Sequence, residues 1–245
     1  MTILAAALAL IVGLSLGLLG GGGSILTVPI FKYALGFGAK ESIGMGLAVV
    51  SATSAFGALR HWRGGNLDLR ALLAFAPSAI VSTFIGTRIA HYVPGEVQLV
   101  LLGIVMLAAA WFMWRGTPTS LVAPAGGHHP AAIIGTGIGV GMLTGIVGVG
   151  GGFLIVPALV LLLGLDIKRA VGTSLGVIAL NGASGFVGYL GQVSMDWPLI
   201  GLFTLCATIG VLIGAALVPK VPAQQLKRGF ALFLVLIALY ILYSR

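Results

Sequence analysis

The chain has 245 residues and a formal net charge of +8, yet only 7% of its residues are charged against 59% hydrophobic, and its mean hydropathy is +1.15. A soluble domain carries about 25% charged residues, so this chain could not cover its own surface in water, which excludes an ordinary soluble enzyme or binding domain. Its basic residues stand at the ends of apolar runs, which argues against a nucleic-acid partner and for a lipid bilayer.

No Asp, Glu, Lys or Arg occurs from Met1 to Phe31. Residues 1–20 resemble a signal-peptide core but lack a basic leading region. Because they recur later in the chain, they are expected to form the first membrane segment. A glycine cluster, GLLGGGGSILTVP (17–29), interrupts this segment, and a short piece follows over Ser24–Gly36. Three helices are predicted next, near 42–60, 69–91 and 96–114, each built on a run lacking charge (42–59, 71–87 and 97–114) that approaches the ~20 residues needed to cross the hydrocarbon core. Residues 116–130, with Gly-Thr-Pro, Ala-Pro and Gly-Gly-His-His-Pro, read as a linker. The pattern then repeats: an apolar segment broken at GIVGVGGGFLIVP (145–157), a short piece over Phe153–Gly164, and helices near 170–190, 196–218 and 223–243. The runs are long and unbroken, unlike the ~10-residue alternating segments of a membrane barrel. The expected fold is an all-α polytopic membrane protein with eight clear spans, or ten if both short pieces cross.

Sliding the sequence by 128 positions aligns its halves without a gap. Gly13, Gly17, Gly20, Gly22 and Gly23 fall on Gly141, Gly145, Gly148, Gly150 and Gly151, and Pro29 falls on Pro157. Lys40, Asp68 and Pro94 likewise fall on Lys168, Asp196 and Pro222. Compositional bias produces glycine matches but not a lysine, an aspartate and prolines in the same register. The organisation is therefore two tandem repeats, 1–115 and 131–245. An even number of crossings by each broken segment makes the halves inverted and divides the Lys and Arg residues 9 inside to 4 outside; an odd number makes them parallel, 8 to 5. That difference does not decide. Inverted repeats are the expectation, because opposed broken helices then meet near the midplane around one site.

The paired breaks point to that site. Consecutive glycines weaken a helix, and a proline five or six residues on removes a backbone donor. Backbone unwound at membrane depth is tolerated only inside protein or beside a wet cavity. Its free N–H groups, with a helix starting beyond them, suit an anion without any buried cation. The candidate substrate-binding residues are Gly20, Gly21, Gly22, Gly23, Ser24 and Pro29 in the first break, and Gly148, Gly150, Gly151, Gly152 and Pro157 in the second. Thr53, Ser54, Thr173, Ser174, Asn181 and Ser184 on the helices that follow join them. Asn181 is the best single candidate, since an amide is costlier to bury unpaired than a hydroxyl that can bond its own helix. Arg60, His61 and Arg63 form a candidate anion-attracting mouth, although helix-end arginines also serve as a plain topology signal.

The five acids, Glu41, Asp68, Glu96, Asp166 and Asp196, all stand at predicted helix ends or loops. A cation pump or proton relay usually keeps an ionisable group inside the membrane. No HExxH, P-loop or Cys/His set is present, so neither a metal nor another cofactor is expected. The single cysteine, Cys206, reads as a packing residue.

The Gly-to-Pro motif in both halves, the stretch AVGTSLGVIALNGASGFVGYLG (170–191) and the loop HWRGGNLD (61–68) resemble the sulfite exporter TauE/SafE family, also called toluene sulfonate uptake permeases. The resemblance covers roughly residues 1–243. It implies a prokaryotic inner-membrane transporter for sulfur-containing anions such as sulfite, sulfonates or sulfoacetate. The family commonly carries Thr-Ser in both halves; here Thr173-Ser174 has Met45-Gly46 as its counterpart. The expected function is a secondary transporter working by alternating access, with no enzymatic activity, a small anionic substrate and a possible homodimer. A passive anion channel is the alternative, followed by a membrane enzyme or assembly factor of sulfur metabolism.

Overall fold

The structure, a computed structural model, describes residues 2–21, 23–115, 130–147 and 167–217, with further positions between 152 and 165 and between 232 and 243. Every regular element among them is helical: α1 (Thr2–Leu19), α2 (Ser24–Pro29) running into one π-helical turn (Ile30–Ala34), α3 (Ala39–Arg63), α4 (Leu69–Ala90), α5 (Gly95–Arg115), α6 (Pro130–Val147), α7 (Ile167–Tyr189) and α8 (Trp197–Leu217). Linker positions 116–129 and most of the second broken segment lie outside the described residues, as does most of the 223–243 stretch.

Helix starts follow local chemistry. Asp68 caps α4 by accepting the Ala71 N–H at 3.0 Å, and Asp196 caps α8 by accepting the Leu199 N–H at 3.0 Å. Glu41 reaches back to the Gly38 N–H at the start of α3. Residues 39–63, 69–90, 168–189 and 197–217 are each long and apolar enough to cross a bilayer, and α1, α5 and α6 are apolar helices as well. Large apolar side chains such as Leu73, Val81, Ile104 and Leu205 point outward, uncovered by protein. Exposed Trp62 and Trp114 lie at the end where α3 and α5 finish. Exposed Tyr92 and Trp197 lie at the opposite end, in the manner of two interfacial aromatic belts.

The core is built from helices whose backbones touch. Gly13 and Gly17 of α1 lie on the carbonyls of Ala207 and Val211 of α8, while Gly141 and Gly145 of α6 lie on those of Ala79 and Thr83 of α4. No room for a methyl remains at any of the four. Small residues permit such approach, and dispersion and weak polar contacts then hold helices that lipid gives no hydrophobic reason to associate. In the centre, α7 packs on both α3 and α4. Along α3 and α7, Leu47 lies against Gly182 and Gly185, and Gly57 against Leu175. The Ser51 hydroxyl donates to the Ala179 carbonyl at 2.8 Å. Positions rising on one helix meet positions falling on the other, so α3 and α7 run antiparallel. Asn66 meets Gly172, Leu72 meets Gly176 and Thr87 meets Gly188, so α4 and α7 run parallel and begin at the same end.

A leucine at Gly13 must push α1 off the α8 backbone, whereas Gly201 of α8 faces open space. Gly13→Leu is expected to lower the thermal midpoint of the detergent-solubilised protein by about 5 °C or more, and Gly201→Leu to leave it unchanged. Equal midpoints would mean that the α1–α8 contact is not structural.

Candidate functional site

The first break is a reversal of direction rather than a kink. The Gly20 N–H still bonds the Leu16 carbonyl at 2.9 Å. Gly20 then takes φ +66° and Gly21 φ +151°, where a side chain would be strained. The chain folds back so that Gly23 packs on α1 at Val12 and Leu16. Pro29 does not widen the break as expected. Its φ of −57° is helical, and the chain passes through it into the π turn, where the Leu35 N–H reaches the Ile30 carbonyl at 3.0 Å. A wider turn downstream of the missing donor keeps the path helical. The unwound amides are also less available than expected. The Ser24 N–H bonds the Gly21 carbonyl at 3.2 Å and the Leu26 N–H bonds that of Gly23 at 3.1 Å.

The two breaks meet. A Cβ on Gly21 or on Gly152 would lie 2.5 Å from the other's backbone, and Gly152 abuts Ile178 of α7. The Ser174 hydroxyl lies 2.6 Å from the Gly20 carbonyl and 2.8 Å from that of Val171, which anchors α7 to the first break. Gly22, Gly148, Gly150, Gly151 and Pro157 lie outside the described residues.

Above this junction the polar groups divide into two sets. In the first set every hydroxyl has a protein partner. Ser24 donates to the Gly21 carbonyl at 2.6 Å, Ser184 donates to that of Ile80 at 2.9 Å, and Thr173 accepts the Asp68 N–H at 2.9 Å. The second set is buried without partners: the hydroxyls of Thr27, Thr53 and Ser54, and both amide atoms of Asn181. All four residues are at most 1% exposed. Asn181 lies three residues beyond Ile178 and seven beyond Ser174, hence on the face of α7 turned toward the breaks. Thr53 stands seven residues beyond Gly46, which abuts Thr27 and Val28 of α2. That spacing puts Thr53 on the α3 face turned toward α2. An unpaired amide group in such surroundings costs about 1–3 kcal/mol, which only a partner from outside the protein would recover.

Thr27 was not singled out from the sequence. The signal was present: it stands three residues after Ser24 in an apolar stretch that begins at the break, hence on the same side of that short helix. Arg60, His61 and Arg63 occupy the last turn of α3, with both arginines exposed. Beside them an open cleft of about 360 Å³ is lined by Gly65, Leu67, Asp68, Leu69, Arg70 and Arg169. Two guanidinium groups against one capping carboxylate leave it net positive. Its wall connects to the junction, because Asp68 bonds Thr173 and the next residue, Ser174, bonds Gly20.

Comparison with known proteins adds three findings. The family model described as "Sulfite exporter TauE/SafE" matches residues 5–241. The chain is 31% identical over 242 residues to a "Probable membrane transporter protein" of Xylella fastidiosa, covering 95% of this chain and 92% of that one. It is 28% identical over 236 residues to a protein of that description from Methanocaldococcus jannaschii, and 25% identical over 228 residues to one from Bacillus subtilis. Coverage of this chain and of the relative is 87% and 88% in the first case, and 91% and 92% in the second.

If the Asn181 amide is unpaired in the empty protein, replacing it with an apolar residue of similar volume removes a cost. Asn181→Leu is expected to raise the thermal midpoint measured without added anion by a few °C, at about 2–4 °C per kcal/mol. A lowered midpoint would show that the amide is already satisfied.

Proposed function

Because the chain belongs to the sulfite exporter TauE/SafE family, a family of membrane transporters, we propose that it is a secondary transporter that moves a small sulfur-containing oxyanion, such as sulfite or a sulfonate, by alternating access. The observation that carries this reading is the buried amide of Asn181, unpartnered beside two touching glycine breaks and accompanied by the unpartnered hydroxyls of Thr27, Thr53 and Ser54. These groups would replace part of the anion's hydration shell. Direct contact between Gly21 and Gly152 leaves no gap between them, which suits a carrier that opens one end at a time better than an open pore.

We read the halves as an inverted repeat. In support, α1 and α6, α3 and α7, and α4 and α8 each begin 128 residues apart. Contacts repeat with the same offset: Gly57 meets Leu175 and Val211, and Gly185 meets Leu47 and Thr83. Ser51 bonds its own counterpart position, Ala179, where α3 and α7 cross antiparallel. A position meeting its own equivalent is what a two-fold axis produces, and antiparallel equivalents lay that axis across the helices. Under this reading 9 of the 13 Lys and Arg residues lie on the side of the Arg70–Arg169 cleft, which the positive-inside rule assigns to the cytoplasm of a bacterial or archaeal cell. The cleft would then gather anions at the cytoplasmic end.

In proteoliposomes, labelled sulfite flux is expected to saturate and to accelerate when unlabelled sulfite is present on the opposite side. Linear flux without such acceleration would favour a channel, and no flux of sulfite or sulfonates would remove the proposal. Asn181→Ala is expected to cut flux by about 10-fold or more, with Cys206→Ala within about 2-fold of the parent. Equal effects would remove Asn181 from the site. The double substitution Arg70→Gln, Arg169→Gln should raise KM several-fold with kcat little changed; an unaltered KM would deny the cleft its role.

A further inference from the structure

Every buried polar side chain among the described residues is neutral: serines, threonines, Gln98 and Asn181. Charged and titratable side chains stay away from Asn181. On the helices packed against α7 they are Lys40, Glu41, Arg60, His61 and Arg63 of α3, with Arg70 and Arg88 of α4, and all stand in a first or last turn. α1, α2 and α6 carry none. On α7 itself Lys168, Arg169 and Tyr189 are each more than two helical turns from Asn181.

Such a centre tolerates one negative charge far better than two. Hydroxyl and amide donors can serve a monoanion, but each further charge taken from water into neutral surroundings needs a countercharge that is not there. The second feature is the unmatched pair on Asn181. Its Nδ2 offers hydrogens, which an oxyanion accepts; its Oδ1 offers only lone pairs, which repel a bare oxyanion and require an O–H. One solute satisfies both: an oxyanion that keeps a proton.

Resting on the transport reading above, we propose that the translocated species is the monoprotonated, singly charged form of a titratable oxyanion, and that the transported proton rides on the substrate rather than on a side chain. The balance is simple. One monoprotonated anion crosses, carrying one negative charge and one proton, and on reaching a compartment where its ionised form is favoured it releases that proton to water. Transport would then be proton-linked in a chain whose described mid-membrane positions hold no acid. It also separates the solutes the protein can take. A permanently singly charged sulfonate satisfies the charge rule but lacks the O–H. Sulfate, a dianion throughout the neutral range, fails both.

The test uses the full chain in proteoliposomes containing a pH-sensitive dye, with sulfite, methanesulfonate and sulfate as the solutes. Sulfite changes from monoanion to dianion near neutrality. At fixed total sulfite, initial flux is expected to follow the concentration of the monoanion, to acidify the lumen by up to one proton per anion, and to respond to an imposed membrane potential. Methanesulfonate flux should show neither pH dependence nor acidification, and sulfate flux should be at least about 10-fold lower than sulfite flux. Asn181→Ala should reduce sulfite flux about 10-fold more than methanesulfonate flux, because only sulfite presents an O–H to Oδ1. Sulfite flux that rises with the dianion, occurs without acidification, or is matched by sulfate overturns the inference while leaving anion transport standing. Absence of flux for all three solutes removes the transport reading and this inference together.

Discussion

A main-chain amide or carbonyl cannot face hydrocarbon unpaired without a cost of several kcal/mol, and this constraint organises the molecule around Gly20 and Gly21. With the chain reversed there, its freed carbonyls must be met by protein. Ser174 and Ser24 supply hydroxyls to the carbonyls of Gly20 and Gly21, and Gly152 closes over the turn backbone to backbone. Enclosure of this kind needs α7 in the middle of the protein, with α3 and α4 pressed against it. It also needs outer helices thin enough to lie close. The glycine rows that join α1 to α8 and α6 to α4 meet that requirement.

The same constraint separates polar groups that have found partners from those that have not. A serine or threonine in a bilayer helix can turn its hydroxyl to a carbonyl one turn back, as Thr144 and Ser82 do and as Thr27, Thr53 and Ser54 do not. Hydroxyls that have found such partners add little to recognition. Asn181 has no equivalent refuge: its amide carries two donors and an acceptor, and α7 satisfies none of them. The folded chain bears that cost near the middle of a helix that packs on both α3 and α4, next to the break. Among the described residues Asn181 is the side chain left with two polar atoms unpartnered, a donor and an acceptor, and a local rule broken in this way is the usual mark of function.

Much of this was legible in the sequence because it depends on periodicity and on glycine. Uncharged runs gave the helices to within a few residues, and the 128-residue offset set matching starts for α1 and α6, α3 and α7, and α4 and α8. The breaks were visible as glycine clusters, and Asn181 as an amide that no helix can satisfy alone. Other features depend on distant partners and leave no local trace. Thr173 and Ser174 look like ligand donors, yet they are bonded to Asp68 and Gly20, more than a hundred residues away. Pro29 looks like a breaker, but a single π turn absorbs its missing donor. Thr27 has a local signal in its spacing from Ser24, but its burial under Gly46 depends on α3. The cleft joins Arg70 to Arg169, which are neighbours only because α4 and α7 start side by side.

The departure from symmetry between the halves has a mechanical consequence. At the cleft end α7 is tied to the first half by Thr173, which accepts from the Asp68 N–H, and by Ser174, which donates to the Gly20 carbonyl. The counterpart positions on α3 are Met45 and Gly46, which have no hydroxyl to offer, and Gly46 meets only the methyls of Val28 and Thr27. At that end the halves are tied by Glu41 with Ser194, exposed at the helix start, and by the buried Gln98 Nε2, which donates to the Tyr189 hydroxyl at 3.3 Å. A carrier that opens each end in turn, as proposed here, must part the Thr173 and Ser174 hydrogen bonds at the cleft end and the Gln98–Tyr189 and Glu41–Ser194 hydrogen bonds at the other. A buried hydrogen bond is costly to leave unmade, so either opening must find new partners for the groups it frees. The ties at the two ends therefore differ in kind even though the helices share matching starts: at the cleft end α7 is bonded to the backbone of the first break, and at the other end Tyr189 and Ser194 meet side chains of α5 and α3.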